Sequence, residues 1–298
     1  MKQVSSLSYV YCLIRSARRP LLRDAPQAIP AGDSIRIVDV GQRMWAVVSS
    51  VPPAEYSEDA LRRGLQNLEW VSRRAMAHEA VVEHFLSASA VLPMQLFTLF
   101  MSDQRVIEYV QHERRRIERI LARVERQLEW GLRLTFDEKA AREAVEREHS
   151  GSRTVKVRAA AAQRPGDAAR TSKVRGGPGS SYLARKRDLL NVTRVQLAHA
   201  RTEANRLYRA LAREATEARR RSETEQAAPG SRLLLDAAFL VPARQSAAFR
   251  SALRKHARMV DGTGVVVSLT GPWPPYNFID PVSAARGGSR ATAARSAR

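Results

Sequence analysis

The run Gly264-Val265-Val266-Val267-Ser268-Leu269-Thr270-Gly271-Pro272-Trp273-Pro274-Pro275-Tyr276-Asn277-Phe278 limits what this chain can fold into more than any other stretch. Val265 to Leu269 is a strand-length run of β-branched and apolar residues. Gly271 and Pro272 end that strand, and Pro274 and Pro275 each lack a backbone N–H. A residue before proline is driven towards extended backbone, so the segment is a stiff rod. Trp273, Tyr276 and Phe278 hang from it. Packing across the open end of a sheet is the first use of such a rod, and a binding lip for a partner is the second.

The chain has 298 residues, enough for about two domains, and 44% of them are hydrophobic. No run of about 18 uncharged apolar residues occurs, which argues against a membrane-spanning helix. Val10-Tyr11-Cys12-Leu13-Ile14 is too short for the core of a signal peptide, and no small-residue cleavage site follows it. The single cysteine, Cys12, cannot form an internal disulfide, which suits a reducing cytoplasm. Its apolar, strand-like surroundings mark it as an inert core thiol.

The net charge of +20 is unevenly placed. Residues 1–149 carry a net +2 and residues 188–281 a net +5, whereas 150–187 carry +9 and 282–298 carry +4. A dedicated nucleic-acid domain holds its charge on a folded face. Here most of the charge sits in Ala-, Arg- and Gly-rich segments with almost no large apolar side chains. Such segments cannot bury enough surface to offset the entropy of ordering, so 150–179 is expected to be a disordered basic insertion and 282–298 a disordered basic tail. Gly176-Gly177-Pro178-Gly179-Ser180-Ser181 has neither a preceding strand nor a following Gly-Lys-Ser/Thr, so it reads as a linker and not a phosphate loop.

Periodicity sets the elements. Residues 7–14 read as a first, well-buried strand, and residues 34–40 and 44–51 as a hairpin. A helix is expected over about 57–87, capped by Ser57, with a stripe of Leu61, Leu65, Leu68, Val71, Ala75, Val82 and Phe85. His78, Glu79, Glu83 and His84 do not match the His-Glu-x-x-His spacing of a zinc site. They read instead as a hydrogen-bonded, partly buried His78 beside a solvated Glu79/Glu83 face. Residues 91–100 read as a strand, with Pro93 assigning it to an edge or a bulge. Ser102 caps a second long helix with a stripe of Val106, Val110, Ile117, Leu121, Val124 and Leu128. Its opposite face mixes Glu and Arg at i,i+3 and i,i+4, the pattern of a solvated surface.

In the second half, Trp130, Leu132, Leu134 and Phe136 alternate with Glu129, Gly131, Arg133 and Thr135, so one face of this strand is core. A short charged helix is expected over 137–148 and a long one over about 181–221. A strand follows over 232–241, a helix over 244–257 with Ala248, Phe249 and Leu253 as its apolar residues, and a strand over 264–270. These βαβαβ elements fit a ferredoxin-like or related α+β sandwich with helices on one face of the sheet. The expected domains are an N-terminal α+β domain, 1–127, and a C-terminal domain, 128–281. No Ser/His/Asp or Cys/His constellation, dinucleotide motif or metal motif stands out, so no catalytic, cofactor-binding or metal residue is assigned.

Several separated pieces then point to a family. They are Tyr9-Val10-Tyr11, His78-Glu79-Ala80-Val81-Val82, Val91-Leu92-Pro93-Met94, Phe97-Thr98-Leu99-Phe100, Glu129-Trp130-Gly131-Leu132, Tyr182-Leu183-Ala184-Arg185, Phe239-Leu240-Val241-Pro242 and Leu269 to Phe278. In this order the chain resembles the GvpL/GvpF family of gas vesicle synthesis proteins over nearly all of 7–278. It departs where the family usually shows Gly at the position of Cys12, and where Arg-Phe-Gly-Thr is common in place of Gln95-Leu96-Phe97-Thr98. The resemblance implies two α+β domains, the second a modified ferredoxin-like fold, in a non-catalytic, cytoplasmic accessory protein of gas vesicle formation. It implies binding to the small, very hydrophobic gas vesicle shell protein, no cofactor, and possible further partners among gas vesicle accessory proteins. Trp273, Tyr276 and Phe278 are the candidate partner-binding rim, chosen from their chemistry and not carried over from the family. The alternative function is nucleic-acid binding through the basic insertion and tail.

Overall fold

The computed structural model describes residues 6–143, 178–221, 230–258, 260 and 263–279, with side chains omitted for 178–192. The basic tail 282–298 and nearly all of the basic insertion lie outside these residues. Only Pro178 and Gly179 of the insertion are described, and they open a helix. The chain divides into two compact units. One combines residues 1–129 with residues from Pro272 onward, and the other is Trp130–Gly271. The sequence reading placed 272–281 with the second domain because it continues a strand of that domain. In the structure residues 272–279 go to the first unit.

The first unit is built on β1 (Leu7–Arg15), β2 (Arg36–Gly41), β3 (Met44–Val51), β4 (Ala90–Pro93) and β5 (Leu99–Phe100), in the order β2-β3-β1-β4 with β5 also paired to β1. β1 is antiparallel to β3, β4 and β5 and is covered on both faces, which explains its unbroken apolar run. A register shift between Val10 and Cys12 lets Tyr11 and Cys12 join the same core cluster, with Tyr9 and Ile14, while Val10 and Leu13 join the other. β4 lies at the sheet edge, where Pro93 costs no ladder bond.

After a short helix α1 (Pro53–Tyr56), two helices, α2 (Glu58–Gly64) and α3 (Leu68–His84), replace the single helix expected over 57–87. Ser57 caps α2 as anticipated, its side chain accepting from the Ala60 N–H. The break comes at Asn67, whose Oδ1 accepts the Trp70 N–H at 3.0 Å and restarts the helix. Gly64 permits this turn, because a Cβ there would lie 2.7 Å from the Trp70 ring. The break turns Leu65 and Leu68 outward, and Arg74 and His78 are buried with Val81 and Val82 instead. On the other face of the sheet, α4 (Asp103–His112) and α5 (Arg114–Arg123) divide at Glu113, yet Val106, Val110, Ile117, Leu121 and Val124 all reach the core.

The strand expected over 91–100 is likewise split into β4 and β5. Between them Phe97 has φ +66°, a conformation that glycine adopts freely and a bulky residue does not. This is the position where the family resemblance sets glycine. The Phe97 ring stacks on Trp70 at 5.4 Å, a contact that offsets part of the backbone strain.

The second unit runs β6 (Gln127–Asp137, entering this unit at Trp130), α6 (Pro178–Glu214), β7 (Glu217–Arg220), β8 (Ser231–Pro242), α7 (Ser246–Ala257) and β9 (Val265–Trp273). The strand order is β7-β8-β6-β9. β7 had been read as the end of the long helix, and its recovery converts βαβαβ into βαββαβ. Trp130, Leu132 and Leu134 pack with Phe239 and Val241 of β8, Leu207 and Leu211 of α6, and Phe249 and Leu253 of α7. Ala248, expected on that apolar face, is exposed.

β9 enters through Gly264, at φ +79°. A Cβ on Gly264 would lie 2.6 Å from the Ala141 Cβ and 2.9 Å from the Asp137 carbonyl oxygen. Gly264→Ala is therefore expected to lower stability by about 1–3 kcal/mol, read from the urea midpoint. An unchanged midpoint would mean that the turn relaxes without cost.

Candidate functional site

The rod that ends the chain's last strand crosses the first unit as a strap. The Tyr276 N–H donates to the Pro274 carbonyl at 2.7 Å and the Phe278 N–H to the Pro275 carbonyl at 3.0 Å, closing a short turn. Two carboxylates hold it. Tyr276 Oη donates to Glu79 Oε2. The Asn277 backbone N–H donates to Glu129 Oε2 at 2.8 Å, and its side-chain amide donates to Glu129 Oε1. Phe278 is 0% exposed, and Ile279 packs against the core cluster under α4 and α5.

The three rim candidates therefore separate. Phe278 is entirely internal and offers no surface, which corrects its place in the expected rim. Trp273 and Tyr276 are half-buried. Beside Tyr276 lies an open cleft of about 500 Å³ lined by Ala75, His78, Glu79, Pro93, Met94, Gln95, Leu96 and Ile279. Its walls are mainly apolar, and its size suits a few side chains.

Burial raises the Glu79 pKa above the ordinary carboxylate value, and the Glu83 and Glu129 carboxylates add to this, against the opposing Tyr276 hydrogen bond. The same burial, with Glu79 beside it, pushes the Tyr276 phenol up. Glu79 is thus not the solvated residue expected from the helix pattern. Glu129 was placed on the outer face of an alternating strand, yet it is 2% exposed. No local signal marks either residue, because both are covered by a segment nearly 150 or more positions away.

His78 is 4% exposed. Its Nδ1 lies 2.7 Å from Tyr9 Oη, and its ring packs among Tyr9 and Tyr11. Tyr9 Oη also accepts the Phe97 N–H at 3.4 Å, and the direction of its bond with Nδ1 follows the imidazole tautomer. Burial lowers the His78 pKa to about 4, so the ring is neutral at pH 7. Cys12 is buried, and burial raises its pKa, so its thiol stays protonated. No cluster of metal-ligating side chains occurs among the described residues. No helix among them is long and apolar enough to cross a membrane.

Two solved structures share the fold. The gas vesicle protein GvpF from Anabaena sp. PCC7120 superposes with a TM-score of 0.60 at 12% identity, covering 92% of this chain and 96% of that one. GvpF from Microcystis aeruginosa gives 0.55 at 13% identity, covering 92% and 98%. In sequence the chain is 28% identical over 277 residues to gas vesicle protein L of Streptomyces sp. (strain CB03234), covering 91% of this chain and 92% of that protein. The profile of the gas vesicle synthesis protein GvpL/GvpF family matches residues 7–280, and the chain belongs to that family. It is a mixed helix-and-sheet protein of gas vesicle formation.

Proposed function

We propose that this protein is a non-catalytic accessory factor that holds the hydrophobic gas vesicle shell protein and assists its assembly, in the cytoplasm and at the vesicle. The observation that carries this reading is the strap. Its prolines fix the backbone, the Glu79 and Glu129 carboxylates tie it down, Trp273 and Tyr276 are half-buried, and Tyr276 lines a mainly apolar cleft. Rigid aromatics anchor interfaces well because they bury much area at a low entropy cost. An aggregation-prone apolar segment could lie against this surface until it is added to a growing shell. Other accessory proteins of the system are further candidate partners. The order β7-β8-β6-β9 within a βαββαβ chain supports a ferredoxin-like reading of the second unit.

Capture of tagged shell protein by single alanine variants tests the reading. Trp273→Ala is expected to weaken capture several-fold with little change in melting temperature. Tyr276→Phe keeps the ring but removes the hydrogen bond to Glu79, so it is expected to lower the melting temperature and spare most of the capture, whereas Tyr276→Ala also removes the ring and should weaken capture. Phe278→Ala is expected to act through stability. If well-folded Trp273 and Tyr276 variants all capture shell protein as well as the parent, the strap is purely structural and the binding surface lies elsewhere.

A further inference from the structure

The break at Asn67 leaves an apolar line on the outside of α3. Leu68 is 81% and Met76 72% exposed, with Ser72 midway between them and also exposed. Residues four apart lie on one face of an α-helix, so Leu68, Ser72 and Met76 form a single charge-free ridge. Leu65, 58% exposed, sits at the same end as Leu68. Large apolar side chains this open, in a row, mark a surface that is covered in use.

The spacing identifies what covers it. The ridge is symmetric about Ser72, with Leu68 four residues before it and Met76 four residues after. If a second α3 is laid antiparallel on the first with the two-fold axis at Ser72, Leu68 of each copy meets Met76 of the other. The small Ser72 side chains then allow close approach where the helices cross. The charges agree. Glu69 and Arg73 flank the ridge on one side and pair with each other at 3.3 Å in the single chain. In the antiparallel pair that edge reads Glu69, Arg73 of the other copy, Arg73, Glu69 of the other copy. Each glutamate therefore gains an arginine from the partner. An isologous interface needs this kind of self-complementarity.

We infer that the outer face of α3 is a self-association surface, through which two copies of this chain pair antiparallel about Ser72. The inference does not depend on the strap or on the identity of its partner.

Sedimentation equilibrium of the full-length protein tests it. The parent is expected to show a concentration-dependent monomer–dimer equilibrium. Met76→Glu and Leu68→Lys, both at exposed positions, should each weaken the dimer by about tenfold or more, with unchanged circular dichroism. The double variant Leu68→Lys/Met76→Glu should restore it. The two new charges stand about 12 Å apart within one helix, too far to pair in the same chain, but face each other between copies. A parent that stays monomeric at the highest soluble concentration overturns the inference. So does a dimer that ignores both single substitutions, or a double variant no better than the singles. Monomeric protein whose single variants lose shell-protein capture would assign the ridge to that partner and likewise overturn pairing between copies.

Discussion

Trp130→Ala is expected to lower the stability of the second unit by about 3–5 kcal/mol, the usual cost of removing a buried aromatic. Trp130 is 4% exposed and shares its cluster with Leu132, Leu134, Phe239 and Phe249. Its ring lies 6.5 Å from that of Phe249, and the Arg250 guanidinium sits 5.5 Å from its centroid. Its Nε1 is buried without a hydrogen-bond partner among the described residues. Trp130→Phe should therefore be much milder, because the smaller ring removes an uncompensated donor together with some packing. A urea midpoint unchanged in Trp130→Ala would show that this strand face is not core. Equal losses in the Ala and Phe variants would show that the indole N–H is satisfied after all.

The second large effect is acid sensitivity through His78. Its pKa is about 4 in the folded protein, against 6.5 for an ordinary histidine. Between these values the unfolded chain binds the proton and the folded one does not, so stability falls as pH drops through this window. The difference amounts to roughly 3 kcal/mol when the window has been crossed. Asp103 acts with the same sign lower down. Hydrogen bonds from Arg36 and Ser8 outweigh its burial and hold its pKa below the usual value, so its contribution disappears only at more acid pH. Glu79 has the opposite sign, since its raised pKa favours the folded state as it is protonated. Denaturant titrations of the parent and His78→Gln at a series of pH values between 7 and 4 separate these terms. The variant should be less stable at neutral pH and should lack the His78-linked fall between 6.5 and 4, leaving the opposite trend of Glu79. Parallel curves for the two proteins would mean that His78 is not the group responsible.

Local chemistry made much of the fold legible. Ser57, Ser102, the β2–β3 hairpin and the apolar stripe of α4 and α5 each follow from a few neighbouring residues. The failures came where neighbours give one answer and distant contacts another. Glu217 to Arg220 looks like the end of a charged helix and becomes a strand only because β8 offers it an edge. The helix pattern through Leu65 and Leu68 is sound as a pattern, but Asn67 caps a new helix and turns both residues out. Of the candidate site, the stiff strap was readable from its prolines. Its docking partners, Glu79 and Glu129, were not, because both looked like surface residues until Tyr276 and Asn277 arrived.

The strap also fixes a timetable. The first unit begins at the start of the chain but takes in residues beyond Pro272, with the whole of Trp130–Gly271 in between. On the ribosome, the sheet made first must wait for residues 272–279 before Phe278 fills its place and Glu129 receives Asn277. The inserted unit, contiguous in sequence, can finish earlier. A gene fragment cut after residue 129 would therefore yield a nascent intermediate with a gap where Phe278 belongs.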